Sequence, residues 1–282
     1  MHASTLFSTL IEVNELLEQL NQPHLAKNLI VIDCRFKMVD PAAGEAAYQE
    51  KHIPGAVYAH LDRDLSGKPV TDKGRHPMLS AEAMNALFSR SGIEHHNQVV
   101  IYDDMRGAIA SRLWWMLQYM GHEATAVLNG AWQAWEAAEA PTATGEESNP
   151  PSQFKGTPNS LPLVTLNEVL IQPSLIDSRS APRYRGEEEP LDPVAGHIPG
   201  AENYFFGQNF GEDGRFLSKE LLEENFSKLL GTISAADTTF YCGSGVTACT
   251  NLLALAHSGL GHAKLYGGSW SEWCRERPGE IG

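Results

Sequence analysis

Thr238-Thr239-Phe240-Tyr241-Cys242-Gly243-Ser244-Gly245-Val246-Thr247 is the stretch that decides the fold. A short apolar run ends on a cysteine, a loop of small residues follows, and Ala248 to Ala256 has the composition of a helix. Glycines at 243 and 245 allow a tight bend that turns backbone N–H groups inward. The start of a helix adds free N–H groups and the positive end of its dipole at the same point. A thiol placed there is expected to have a lowered pKa, because the thiolate is the form those donors stabilise. Cys242 is therefore a candidate nucleophile, with Gly243, Ser244, Gly245, Val246 and Thr247 as its cradle. The alternative is a small core cysteine at a strand end.

Working outward, the surroundings of this stretch occur twice. His52-Ile53-Pro54-Gly55-Ala56 returns as His197-Ile198-Pro199-Gly200-Ala201. Val31-Ile32-Asp33-Cys34-Arg35 matches Leu175-Ile176-Asp177-Ser178-Arg179, and Val99-Val100-Ile101-Tyr102-Asp103 matches Thr238 to Cys242. Gly130-Ala131-Trp132-Gln133-Ala134-Trp135 matches Gly268-Ser269-Trp270-Ser271-Glu272-Trp273. Four matched segments in one order predict a duplicated domain. Residues 1–140 form the first copy and 163–282 the second. The proline-bearing stretch 141–162 reads as an extended linker. Each half alternates short apolar strands with helices, which predicts an α/β fold with a parallel sheet flanked by helices. Ser8 to Leu20 reads as a surface helix. Ligands of such sheets bind beyond the carboxyl ends of the strands, where Cys242 and its counterpart Asp103 both fall. An aspartate cannot be a sulfur nucleophile, so one half is expected to be catalytic and the other to have lost the chemistry.

The bulk properties narrow the partners. The chain has 282 residues, 42% of them hydrophobic, enough for two globular cores. A formal net charge of -14 argues against nucleic acid and against an anionic membrane surface. An anionic small molecule then needs a local basic pocket. The cysteines show neither metal-type spacing nor a disulfide framework. The N-terminus lacks the pattern of a signal peptide, and no stretch approaches the length of a membrane span. A reducing, cytoplasmic setting is the expectation.

The duplication, the two His-Ile-Pro-Gly-Ala segments and the Gly-x-Trp-x-x-Trp endings resemble the two-domain rhodanese superfamily over nearly the whole chain. The resemblance implies two tandem rhodanese-like domains. It implies sulfur transfer through a persulfide on the loop cysteine, with no metal or organic cofactor. The loop Cys242 to Thr247 is similar to that of the 3-mercaptopyruvate sulfurtransferase branch; thiosulfate sulfurtransferases typically carry an Arg-Lys pair where Gly243-Ser244 stand. The implied donor is a small anionic sulfur compound, which would release pyruvate. The acceptor would be a thiol, thioredoxin or cyanide. Arg183 matches the family position that binds the donor carboxylate. A second arginine is usual in a Glu-Pro-Arg segment, where this chain has Glu189-Pro190-Leu191, so Arg185 is a substitute candidate. By the same resemblance Ser244, His76 and Asp62 form a proton relay to the leaving enolate. For His76 the competing reading is a structural cap. His52 and His197 read as turn anchors and the tryptophan pairs as core.

Other chemistries fit less well. A cysteine phosphatase needs an arginine six residues after its cysteine, and Ala248 stands there. A non-catalytic sulfur-binding module would suit an aspartate at position 242. A thiosulfate sulfurtransferase remains the alternative enzyme.

Overall fold

The computed structural model describes residues 6–68 and 73–282; the extreme N-terminal reading over residues 1–5 lies outside them. The chain packs as two compact units. The first takes Met1–Leu65, Ser80–Ser160 and Asp213–Arg215, and the second takes Ser66–Leu79, Leu161–Glu212 and Phe216–Gly282. The segment Ser66–Leu79 thus belongs by sequence to the first half and by packing to the second unit.

Each unit is built on a five-stranded parallel sheet. The first contains β1 (Leu10–Ile11), β2 (Leu29–Asp33), β3 (Val57–Tyr58), β4 (Gln98–Tyr102) and β5 (Thr125–Leu128), in the order β1-β5-β4-β2-β3. The second contains β6 (Leu163–Val164), β7 (Ser174–Asp177), β8 (Glu202–Asn203), β9 (Thr238–Tyr241) and β10 (Lys264–Tyr266), in the order β6-β10-β9-β7-β8. The two orders are the same, as a duplication requires. A parallel sheet covered by helices buries both faces of its strands. That is why β4 and β9 are buried at every residue and read as unbroken strand runs.

The repeated motifs share one structural job in each unit. Asp33 pairs in register with Tyr102, and Asp177 with Tyr241. The tyrosine hydroxyls accept the backbone N–H of Ile53 at 3.2 Å and of Ile198 at 3.1 Å. His52 and His197 stack on Tyr48 and Tyr184, and their Nδ1 atoms bond the carbonyls of those same tyrosines. Arg35 forks Asp33 and lies over Trp132; Arg179 forks Asp177 and lies over Trp270. The two histidines are turn anchors, and the four tryptophans of the two Gly-x-Trp-x-x-Trp segments are buried.

One expectation is corrected. The apolar start of Ser8 to Leu20 is not helical throughout: Leu10–Ile11 is β1, which pairs with β5. The helix begins only at Val13, where Glu12 and Glu15 form a reciprocal cap. Two apolar residues at a sheet edge gain more from strand pairing than from one further helical turn. The stretch 141–162 is extended, yet it is fastened to the first unit. Ala143 bridges His52, and Phe154 is buried against Phe88 and His95.

Candidate active site

Strand β9 delivers Cys242 to the carboxyl edge of the second sheet, and the helix Ala248–Ser258 leaves from the loop beyond it. The residue is 1% exposed. Burial by itself would push its thiol up. The Thr247 hydroxyl and the N–H groups of Ser244, Ala248 and Gly245 outweigh burial and hold the pKa below the ordinary thiol value. Four converging donors around a sulfur stabilise negative charge without any cationic side chain. Gly245 supplies the turn: its φ is 73°, a backbone that L side chains rarely adopt.

The loop is fixed from behind by the second Gly-x-Trp-x-x-Trp segment. The Cys242 N–H donates to the Ser269 hydroxyl at 3.1 Å, and that hydroxyl donates to the Tyr266 carbonyl at 2.9 Å. Trp270 N–H donates to the Cys242 carbonyl at 3.0 Å and Ser271 N–H to the Gly243 carbonyl at 2.9 Å. A nucleophile held on both sides of its Cα loses little entropy on reaching a reactive geometry.

Two relay candidates meet in this unit. The Ser244 hydroxyl and His76 Nδ1 are 2.8 Å apart, and both residues are buried. The third candidate, Asp62, lies in the first unit, in the short helix Leu61–Asp64, with its side chain exposed and its N–H donating to His60 Nδ1 at 3.1 Å. Cys249 is buried, with its sulfur 3.4 Å from the Gly245 carbonyl. All four cysteines are free and buried.

Arginines gather at one side of the loop. Arg183 forks Glu189, with contacts of 2.6 and 2.9 Å from one terminal nitrogen and 3.2 Å from Nε. Buried Asp192 takes Arg75, Arg183 at 3.8 Å and Arg275 at 3.5 Å. Arg185 is half-exposed and forks Glu187 instead. Leu191, at the position of the usual second arginine, is exposed, and its N–H donates to Glu189. This acidic chain does contain a local basic cluster, built from Arg75, Arg183 and Arg275.

Sequence reasoning missed Arg75, the Thr247 hydroxyl, and the serines at 269 and 271. The serines carried a signal. They stand where the first copy has Ala131 and Gln133, so the two copies differ at the residues that brace the loop.

Comparisons with known proteins identify the family. The model of the rhodanese-like domain matches residues 12–138 and again 165–276. A Pseudomonas aeruginosa protein named "Probable 3-mercaptopyruvate sulfurtransferase" is 45% identical over 273 residues, covering 94% of each chain. The thiosulfate sulfurtransferase of Rattus norvegicus is 34% identical, covering 98% of this chain and 95% of its own. Among solved structures, the 3-mercaptopyruvate sulfurtransferase from Leishmania major superposes with a TM-score of 0.81 at 32% identity, over 94% of this chain and 74% of that one. A 3-mercaptopyruvate sulfotransferase from Escherichia coli gives 0.78 at 29% identity, over 94% and 100%. With two matched domains, two sheets of the same strand order and a cysteine cradled at the edge of the second, this chain belongs to the rhodanese-like family.

Proposed function

We propose that the protein is a sulfurtransferase that takes sulfur from 3-mercaptopyruvate onto Cys242 and passes it to a thiol acceptor or to cyanide. The observation that carries this reading is the buried thiol with a lowered pKa, ringed by neutral donors and placed beside the Ser244–His76 pair. In the first step the Cys242 thiolate attacks the donor sulfur. An S–S bond forms, the C–S bond breaks, and the bonding pair leaves on the pyruvate enolate. The Ser244 hydroxyl gives that carbanion its proton, and His76 replenishes the hydroxyl. Asp62 is the proposed third member, orienting the imidazole. The outer sulfur of the Cys242 persulfide is then attacked by a thiolate, thioredoxin among them, or by cyanide, which frees the cysteine thiolate. The catalytic copy in this reading is 163–282, and 1–140 is the inactive one, joined to it by 141–162.

Arg183 is the proposed anchor of the donor carboxylate; Arg185, engaged by Glu187, is the weaker candidate of the two. A thiosulfate sulfurtransferase is the second reading. It is favoured by the guanidinium of Arg75 beside Gly243, a cation suited to a dianionic donor. Four free thiols suit a reducing compartment such as the cytoplasm. Among the described residues no helix is long and apolar enough to cross a membrane.

Intact mass spectrometry after incubation with 3-mercaptopyruvate tests the reading. Wild type and Cys249→Ser should gain one sulfur that cyanide removes, and Cys242→Ser should gain none. Loading of Cys242→Ser, or absence of loading in wild type, overturns it. The ratio of kcat/KM for mercaptopyruvate and thiosulfate separates the two donors.

A further inference from the structure

The two copies can also be compared away from the cysteine loop, at the first glycine of each Gly-x-Trp-x-x-Trp segment. Gly130 and Gly268 are counterparts. The sheets extend the match to their neighbours. Ile11 pairs with Leu128 in the first sheet and Val164 with Tyr266 in the second, so Glu12 corresponds to Thr165 and Asn129 to Gly267. Gly74-Arg75 and Gly214-Arg215 match as well. Each precedes a helix capped by a serine, Ser80 or Ser218, and the two glycines have φ of +80° and +78°.

In the first unit the chain itself fills the place beside the glycine. Asp213–Arg215 packs in that unit although it comes from the second half of the sequence. The Arg215 guanidinium is ion-paired with Glu12 and donates to the Asn129 carbonyl at 3.4 Å, and the Asn129 amide donates to Glu12 at 2.6 Å. The aliphatic stem lies on Gly130, where a built Cβ would be 3.2 Å from Arg215 Cγ. A guanidinium on a carboxylate with its stem on apolar surface is a seat for a cation.

In the second unit the matching arginine is used elsewhere, because Arg75 pairs with buried Asp192. Beside Gly268 there is instead an open cleft of about 420 Å³, and every residue lining it belongs to the second unit. Met78, Leu163 and Leu166 give it apolar walls. Glu272 and Glu276, one turn apart on the helix Ser269–Glu276, give it two carboxylates, with Lys73 as the one cation among the lining residues. The Glu272 carboxylate takes the space that a Cβ on Gly268 would need, and it accepts the Tyr266 hydroxyl at 2.7 Å, which fixes it there. The first copy has Ala134 at that position. Both copies therefore set a carboxylate beside the glycine, from position 12 in one and from position 272 in the other. The first copy adds its own guanidinium. The second surrounds the carboxylate with a cleft in the size range of small-ligand sites.

We propose that this cleft binds a ligand with a guanidinium head on an aliphatic stem. The head pairs with Glu272 and Glu276 as Arg215 pairs with Glu12, and the stem lies along Met78, Leu163 and Leu166. The site is separate from the sulfur chemistry, and its test makes no use of sulfur transfer.

The test is titration calorimetry of the full chain at low ionic strength, with butylguanidinium as the probe and butylurea as its neutral counterpart of the same shape. Wild type should bind about one butylguanidinium per chain with a Kd in the millimolar range, and butylurea at least about tenfold more weakly. Glu272→Gln keeps an acceptor for the Tyr266 hydroxyl and removes the charge, so it should weaken binding by about tenfold or more. Glu276→Gln should weaken it only a few-fold, because that carboxylate is exposed. Asn167→Arg, at an exposed position lining the cleft, should block the probe by supplying a guanidinium in place, as the first copy does. This variant leaves both carboxylates intact and serves as the readout if Glu272→Gln fails to fold. Acetyl-arginine amide, which carries the same head on a peptide backbone, separates two sources of the group. Binding as tight as that of butylguanidinium assigns the cleft to an arginine of a partner chain, and much weaker binding assigns it to a small free guanidine. Absence of saturable butylguanidinium binding to wild type overturns the proposal, as does equal binding of butylurea or undiminished binding in Asn167→Arg.

Discussion

The Asp103 loop of the first unit and the Cys242 loop of the second are the same construction holding different acidic groups. Asp103 follows β4 as Cys242 follows β9, and the carbonyls of the two residues accept the N–H groups of Trp132 and Trp270 alike. The Asp103 carboxylate accepts four backbone N–H groups, from Met105 at 2.8 Å, Gly107 at 2.7 Å, Ile109 at 2.7 Å and Ala110 at 2.9 Å. The Cys242 sulfur is met by three backbone N–H groups and a hydroxyl. The fold thus makes an anion cradle at this sheet edge in both copies. In the first copy a covalently fixed carboxylate fills it permanently. In the second the occupant is a thiol whose pKa the same kind of donors lower, the group proposed above to take up the sulfur atom. The first copy keeps the cradle and fills it with a buried side chain of its own.

The largest effect is expected from removing that side chain. Asp103→Ala leaves buried donors without their charged acceptor and should destabilise the first unit by roughly 3–5 kcal/mol. Cys242→Ala, which removes a smaller group from the equivalent cradle, should cost far less. Urea midpoints of the two variants test this, and equal losses would break the comparison. Next, the second cradle alone has a serine–histidine pair beside it among the described residues. His76→Ala should slow mercaptopyruvate turnover by about 10²-fold, the scale of a lost acid–base group. It should slow thiosulfate turnover much less, since no carbanion then needs a proton; equal losses would make His76 structural. Asp62→Asn should reproduce a smaller part of that selective loss.

Acid should also tell the units apart. His122, in the first unit, is buried near His95, and burial first and that neighbour second lower its pKa to about 4 from an ordinary 6.5. The unfolded chain therefore binds this proton at a higher pH than the folded one does. Stability is complete above the ordinary value and falls as pH drops between the two, by about 2 kcal/mol near pH 5. Replacing the residue in His122→Phe should flatten that slope in pH-dependent denaturation; an unchanged slope would assign it elsewhere. The smallest effect concerns the one side chain in the Cys242 cradle. Thr247→Val removes the hydroxyl that helps hold the thiol pKa down, so the pH profile of iodoacetamide alkylation should move upward and alkylation near neutrality should slow several-fold. An unmoved profile would leave the lowering to the backbone donors alone.

The sequence by itself determined the duplication and the parallel α/β architecture, and it singled out Cys242 as the candidate nucleophile with Asp103 as its counterpart. These are local properties: apolar runs, glycine spacing and repeated motifs are written in consecutive residues, and each reports on one strand, turn or helix start. It also pointed to Arg183, Ser244 and His76, through segments similar to those of a known family. It misjudged Leu10–Ile11 because two residues cannot reveal a strand partner more than a hundred positions away. The tertiary structure alone decided that Ser66–Leu79 packs with the second unit, and with it the place of Arg75. It decided too that Ser269 and Ser271 brace the loop, and that Glu189 engages Arg183 while Arg185 turns to Glu187. The physical reason is common to all of these. A guanidinium on a flexible stem, or a hydroxyl in a turn, takes its role from whatever charge or donor the fold brings within about 3 Å, and that neighbour is set by packing between distant segments rather than by the residues beside it in the chain.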